Sequence, residues 1–150
     1  MDAVPFHVGI TTGDLHASMA DLGDHLQVTW SEPSAREEVF HTVDGVPQPR
    51  PLSCVSNEGP IHVDLIQGAP GTIWHTDAGP RLHHFAYWTD DLAGDIDRLS
   101  SQGWRLELTR PDGQGRPTQF AYLVRDDGFR LELVDDAGRA DYDGRRTARG

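Results

Sequence analysis

The sequence predicts an α+β fold made of two copies of one unit, on the strength of three matches. PFHVGITTGDL near the N-terminus returns in altered form as RLHHFAYWTDDL at 81–92, with His84 falling on His7 at an offset of 77 (84 − 7). The same offset lays Asp91 and Leu92 on Asp14 and Leu15, Ile96 on Met19, and Leu99 on Leu22. Downstream, VDLIQGA from Val63 matches LELVDDA from Leu131, placing Asp64 on Glu132 at an offset of 68 (132 − 64). The shorter second offset means a loop nine residues longer (77 − 68) in the first half. Each copy runs from a histidine strand to a carboxylate strand, and neither is able to bury its apolar face alone.

Taken in order, VPFHVGITT (4–12) reads as a strand with Phe6, Val8 and Ile10 on one side and His7 and Gly9 on the other. Asp14 caps a helix carrying Leu15, Met19, Leu22 and Leu26 at helical spacing and ending near Gly23 to His25. QVTW (27–30) is expected to begin a further strand. REEVFHTV (36–43) and PLSCVSN from Pro51 are expected to pair as a hairpin across the Asp44-Gly45 turn and an irregular, proline-rich loop. IHVDLIQ follows as a strand that groups His62, Asp64 and Ile66 on one side. A Gly/Pro-punctuated linker at 68–80 has the makings of a lid.

The second half repeats the order. A strand at 82–89 leads to an Asp-capped helix from about Asp91 to Gly103, then strands from Trp104, through TQFAYLV, and at FRLELV. The expected organisation is a single domain at 1–136, with module one at about 4–67, module two at about 81–136, and a flexible tail at 137–150 that lacks apolar periodicity. A chain of 150 residues is long enough to bury one shared core.

A formal charge of −11 argues against nucleic acid and anionic membranes as partners, because phosphate binding needs a basic face. All thirteen basic residues are arginine, which removes Schiff-base chemistry and phosphate-loop lysines. The single Cys54 forms no intramolecular disulfide and is expected to be a small buried strand residue. With no membrane-length apolar run and no signal-peptide pattern at its N-terminus, the chain is expected to be cytoplasmic.

The repeat brings His7, Asp64, His84 and Glu132 into play, two imidazoles and two carboxylates at equivalent positions. That donor set suits a divalent ion such as Zn, Fe, Ni, Co or Mn, and leaves one or two positions open to substrate oxygens. A lone strand histidine is more often structural, but matched histidines with matched carboxylates are hard to produce by solvation alone. The alignment selects His84 over His83, whose place is behind the site or at the surface. His62 and His75 are weaker candidates. Glu38 and His41 are reserve acid/base groups for which a surface role is favoured.

FHVGITTGDL, HVDLIQ, LHHFAYWTDDL and FRLELVD resemble the four metal-ligand strands of the vicinal oxygen chelate superfamily, over about residues 4–136. The superfamily includes glyoxalase I, methylmalonyl-CoA epimerase, extradiol dioxygenases, fosfomycin-resistance thiol transferases and metal-free bleomycin-binding proteins; the epimerase and glyoxalase I are the nearest sub-types. The resemblance implies paired βαβββ modules forming a cupped, mostly antiparallel sheet around a central metal-binding cavity, and a homodimer. It implies His7, Asp64, His84 and Glu132 as metal ligands. Asp64 stands where lyase and epimerase members have Glu or Gln, so its shorter side chain points to binding through water, action as a base, or a site of three ligands.

The leading expectation is a metal-dependent lyase, isomerase or epimerase of a small oxygenated metabolite. In it a metal-stabilised enediolate or enolate forms while Glu132 or Asp64 moves the proton. An Fe(II) extradiol-type dioxygenase would use His7, His84 and Glu132 as a two-His, one-carboxylate set. A metal-free binding or resistance protein would instead line its cup with Trp74, Trp88, Trp104, Phe85 and Tyr87, although core packing suits most of these better. Arg36, Arg50, Arg105 and Arg125 are candidates to hold a substrate carboxylate.

Overall fold

A computed structural model describes residues 1–147, and side chains through Gly144. Among the described residues, nine strands and three α-helices follow the order of paired βαβββ modules, the first with one short strand added. Module one comprises β1 (His7–Thr11), α1 (Leu15–Leu26), β2 (Val39–Thr42), β3 (Pro47–Pro49), β4 (Leu52–Val55) and β5 (His62–Gln67). Module two comprises β6 (Arg81–Thr89), α2 (Leu92–Ser101), β7 (Arg105–Pro111), β8 (Pro117–Val124) and β9 (Arg130–Asp135), and is followed by α3 (Arg139–Thr147).

The contacts divide the chain into two compact units that do not coincide with the repeats. One holds Phe6–Phe40 and Pro47–His84; the other holds Met1–Pro5, His41–Val46 and the chain from Phe85 onward. β6 runs through both as a single strand.

In the first unit β1 pairs in parallel with β5, His7 opposite His62 and Gly9 opposite Asp64, and β4 pairs antiparallel with β5. The β1 pattern is buried at His7, Gly9 and Thr11 and only half-buried between them, so the histidine face is the interior one. The other face carries Ile10 and Leu65 and packs, with Cys54 and Leu52, under Leu15, Met19 and Leu22 of α1. Burying each such side chain contributes about 1.5–3 kcal/mol. Asp14 caps α1 by accepting from the Ala17 N–H at 3.0 Å, and Gln27 ends the helix in the left-handed region at φ 56°.

The second unit repeats this plan. β6 pairs in parallel with β9, Phe85 opposite Leu131 and Ala86 opposite Glu132, while β8 joins β9 and β7 joins β8 antiparallel. Leu92, Ile96 and Leu99 of α2 cover Leu131 and Leu133 on one face, which leaves Glu132 to the other. The carboxylate strands therefore occupy equivalent registers, as the two offsets require.

Three local expectations are corrected. The hairpin of 36–43 with 51–57 does not form. β2 pairs instead with β7, His41 opposite Thr109, and the Asp44-Gly45 turn closes within 42–46 through Thr42 N–H to Val46 O at 3.0 Å. The chain returns beside 36–43 through 47–50, where Arg50 N–H donates to Glu38 O at 2.8 Å, and not through 51–57, whose Leu52 and Cys54 gain burial beside β5. QVTW makes only an isolated bridge, Trp30 to Ser56, and its indole instead donates to Met19 O at 2.9 Å. The expected loose tail contains α3, where Tyr142 meets the Trp88 ring edge-on at 5.6 Å and the Arg139 guanidinium lies 5.2 Å from that ring's centroid. These contacts, not apolar periodicity, give α3 its anchor. The part of the tail at 148–150 lies outside the described residues.

Candidate metal centre

Two histidines from opposite ends of one unit meet on the interior face of β1. His7 Nε2 and His84 Nε2 are 2.9 Å apart, with the His84 ring only 1% exposed and His7 5%. The approach depends on Gly9. A Cβ there would lie 2.0 Å from His84 Cε1, so the imidazole occupies the space that any other residue would fill. Because Gly9 is the register partner of Asp64, Asp64 shares the face over which the His84 ring lies.

His62, opposite His7, is also buried on this face, its Nδ1 held 2.9 Å from Ser56 O, and Gly59 leaves room for its ring. On β6, His84 and Ala86 share a face by alternation, and the register partner of Ala86 is Glu132, which is 9% exposed. His7, His84 and His62 are gathered on one face within a single unit, Asp64 is half-buried on that face opposite Gly9, and Glu132 is buried on β9 in the other unit.

The donors fit a divalent ion. Two imidazole nitrogens bound at about 2.0–2.1 Å to one ion stand roughly 2.9 Å apart at a right angle and roughly 3.4 Å apart in a tetrahedron. At 2.9 Å the two nitrogens would both reach one ion. Without a metal, the same separation is an N–H···N hydrogen bond in which one ring donates.

His83, which the sequence left behind the site or at the surface, is buried. Its Nδ1 lies 2.8 Å from His84 Nδ1 and its Nε2 lies 2.8 Å from Ile73 O. His75 instead faces Asp77 in the linker, at 3.4 Å. Glu38 is tied to Arg50 by a 2.8 Å ion pair, and His41 is exposed.

Of the proposed aromatic lining, Phe85, Tyr87 and Trp104 pack against the α2 core, away from the histidine face. Trp74 is buried edge-on against Phe40, and Trp88 meets Tyr142. Arg125 reaches Asp127 and lies over Trp104, while Arg36 and Arg105 are exposed. Cys54 is 2% exposed; burial, with Asp64 nearby, pushes its thiol up to about 12, so it stays protonated.

The linker and the first turns of α1 border a separate open pocket of about 640 Å³, lined by Asp14, Asp21, His75 and Asp77 and by none of His7, Asp64, His84 and Glu132. Gly9 and Ile73 are the contributors the sequence reading passed over. A glycine inside a strand was the available signal for Gly9, whereas nothing in sequence marks a carbonyl as an imidazole acceptor.

The family model of the glyoxalase/bleomycin resistance protein/dioxygenase superfamily matches residues 6–122, and the chain belongs to that superfamily. Among solved structures it is similar to methylmalonyl-CoA epimerase from Mycobacterium tuberculosis, at 21% identity over 95% of this chain and 97% of that one, with a TM-score of 0.60. It is also similar to the Streptomyces coelicolor methylmalonyl-CoA epimerase in complex with 2-nitronate-propionyl-CoA, at 19% identity, 88% and 96% coverage, and a TM-score of 0.59. A methylmalonyl-CoA epimerase bound to methylmalonyl-CoA and NH4+ matches at 19% identity, 88% and 93% coverage, and a TM-score of 0.59. At these identities the likeness is one of fold. No curated protein sequence matches the chain. No helix among the described residues is long and apolar enough to cross a membrane.

Proposed function

We propose that this chain is a divalent-metal-dependent isomerase or epimerase that moves a proton at a carbon beside a carbonyl, with His7, His84 and Glu132 holding the metal. The observation that carries the reading is the buried pair of imidazole nitrogens 2.9 Å apart over Gly9. The similar epimerases, whose ligands are acyl-CoA thioesters, suggest the substrate class. When bound, the ion would supply Lewis-acid polarisation of a substrate carbonyl oxygen.

The chain's own part is to orient and to carry the proton. Buried histidines on a rigid strand pair fix the donor geometry. Asp64, two residues along β5 from His62 and on the same face, is our candidate to accept the proton. The electron pair of the C–H bond then passes into the bond to the carbonyl carbon, and its C=O pair moves to oxygen. Epimerisation follows when a proton returns to the opposite face of that carbon.

The test is metal content together with wash-in of solvent deuterium at the carbon between the carbonyls of methylmalonyl-CoA. The unmodified protein should hold near-stoichiometric metal and catalyse exchange. Glu132→Gln should lose most of the metal, whereas Asp64→Asn should keep it and slow exchange by about 10²–10⁴-fold. Full metal and full exchange in Glu132→Gln would sink the proposal.

A three-residue set of two histidines and one carboxylate also suits ferrous oxygenases. Catechol-dependent oxygen uptake that needs ferrous iron, with no deuterium exchange, would favour that reading.

A further inference from the structure

We propose that His83 is a positioning residue that fixes His84 in the tautomer with a proton on Nδ1 and a lone pair on Nε2, and that it does so by anchoring the pair to the linker at Ile73. The proposal rests on the reading of His84 as a metal ligand. The direction of the relay follows from its far end. A carbonyl only accepts, so the 2.8 Å contact of His83 Nε2 with Ile73 O requires His83 Nε2 to be the donor. In the neutral ring the other nitrogen is then an acceptor, and the 2.8 Å contact between the two Nδ1 atoms makes His84 Nδ1 the donor. The lone pair of His84 is thereby left on Nε2, the atom that lies 2.9 Å from His7 Nε2.

Consecutive strand residues leave opposite faces, yet these two rings meet through Nδ1, the nitrogen nearest the backbone, with ring planes 88° apart. The acceptor at the end of the relay is itself held. Ile73 N–H donates at 2.7 Å to Oε1 of Gln48, which is 1% exposed, so buried side chains hold Ile73 through both of its backbone polar groups. A ligating histidine usually donates its second N–H to a carboxylate or carbonyl, and here a neutral imidazole stands between ligand and carbonyl. The repeat shows the arrangement to be particular to one module: the position equivalent to His83 is Phe6 (83 − 77), whose ring only meets the edge of His7 at 4.6 Å.

The first readout needs no metal. In metal-free protein with ¹⁵N-labelled histidine, long-range proton–nitrogen NMR should show His84 protonated at Nδ1 and bare at Nε2, and His83 protonated at Nε2. The second is zinc affinity measured by competition with a chromogenic chelator. His83→Leu should weaken zinc binding by about 10–100-fold and scramble the His84 tautomer. His83→Asn, whose amide oxygen stands near the position of Nδ1, should recover most of the affinity and the Nδ1–H signature.

An apo protein with His84 protonated at Nε2 would overturn the proposal. So would His83→Leu binding zinc as the unmodified protein does. If His83→Leu fails to fold, the wild-type tautomers and His83→Asn decide, and an Asn variant with normal folding, scrambled tautomer and unchanged affinity overturns it. Failure of the metal reading looks different: no zinc bound by the unmodified protein while both tautomers are as assigned.

Discussion

The strand pairs β1/β5 and β6/β9 are two versions of one design, and they differ where the chemistry is. Their registers are equivalent, with Gly9 opposite Asp64 in one and Ala86 opposite Glu132 in the other. Four substitutions between the repeats then divide the labour. Gly9 in place of alanine opens the space that the His84 ring fills. His83 in place of Phe6 supplies a polar partner for His84. Asp64 is one methylene shorter than the Glu132 that holds the equivalent register position. Ser18 pairs with the Thr12 hydroxyl at 2.7 Å, where Asp95 accepts from Thr89 at 2.6 Å. A repeat supplies matched positions, and departures from it assign them different work.

The largest break in this comparison is Gly9→Ala set against Ala86→Gly. The alanine methyl would stand 2.0 Å from His84 Cε1, so the ring must leave, with metal lost and stability reduced by about 1–3 kcal/mol. Ala86→Gly should cost only about 0.5–1 kcal/mol for backbone entropy and keep the metal. Urea unfolding with elemental analysis of both variants checks the contrast; retention of metal by Gly9→Ala would refute the assigned role of that glycine.

Next in size is the acid sensitivity of Asp95 in module two. Burial alone would raise the Asp95 carboxyl, but the Thr89 hydroxyl, Arg98 and the Met1 ammonium hold it down at about 2. A carboxylate depressed in the folded state stabilises above its unfolded value near 3.8, and that contribution is lost as pH falls through about 2. Asp95→Ser, which copies the first module, should lower unfolding free energy at pH 7 by about 2 kcal/mol and narrow its gap from the unmodified protein as pH falls from 4 to 2. An unchanged gap across that range would show that Asp95 acts by packing instead.

The smallest effect sharpens the comparison at the helix caps. Asp91→Ala should cost about 1 kcal/mol, since Asp91 accepts from Gly94 N–H at 3.0 Å. Asp14→Ala should cost less, because Gln67 Oε1 independently accepts the Leu15 N–H at 2.8 Å, a second tie at the same helix end. Thermal melts of the two single variants, and of Asp14→Ala with Gln67→Ala, read the difference.

Much of the molecule was legible because local chemistry repeats in register with itself. Asp14 and Asp91 mark the starts of both helices, the alternation at 6–10 separates the histidine face from the α1 face, and the two offsets place Asp64 and Glu132 at matching points of parallel strand pairs. The partners of β2 and β4 were not legible. Either edge of a short strand satisfies the same hydrogen bonds, and which neighbour it joins depends on burial far away in sequence, Thr109 for His41 and Leu65 for Cys54. The helix at 139–147 was missed for a related reason, because its anchors are one tyrosine and one arginine against Trp88 and not an apolar stripe.

By itself the sequence determined the doubled architecture and the strands that carry the candidate ligands, since each follows from periodicity and from matched spacing. Only the tertiary structure decided that Gly9 admits a ring from residue 84 and that His83 faces a carbonyl ten residues earlier. Those outcomes turn on separations of a few ångströms between residues distant in the chain, and hydrogen-bond direction and steric exclusion act only once the fold has brought the atoms together.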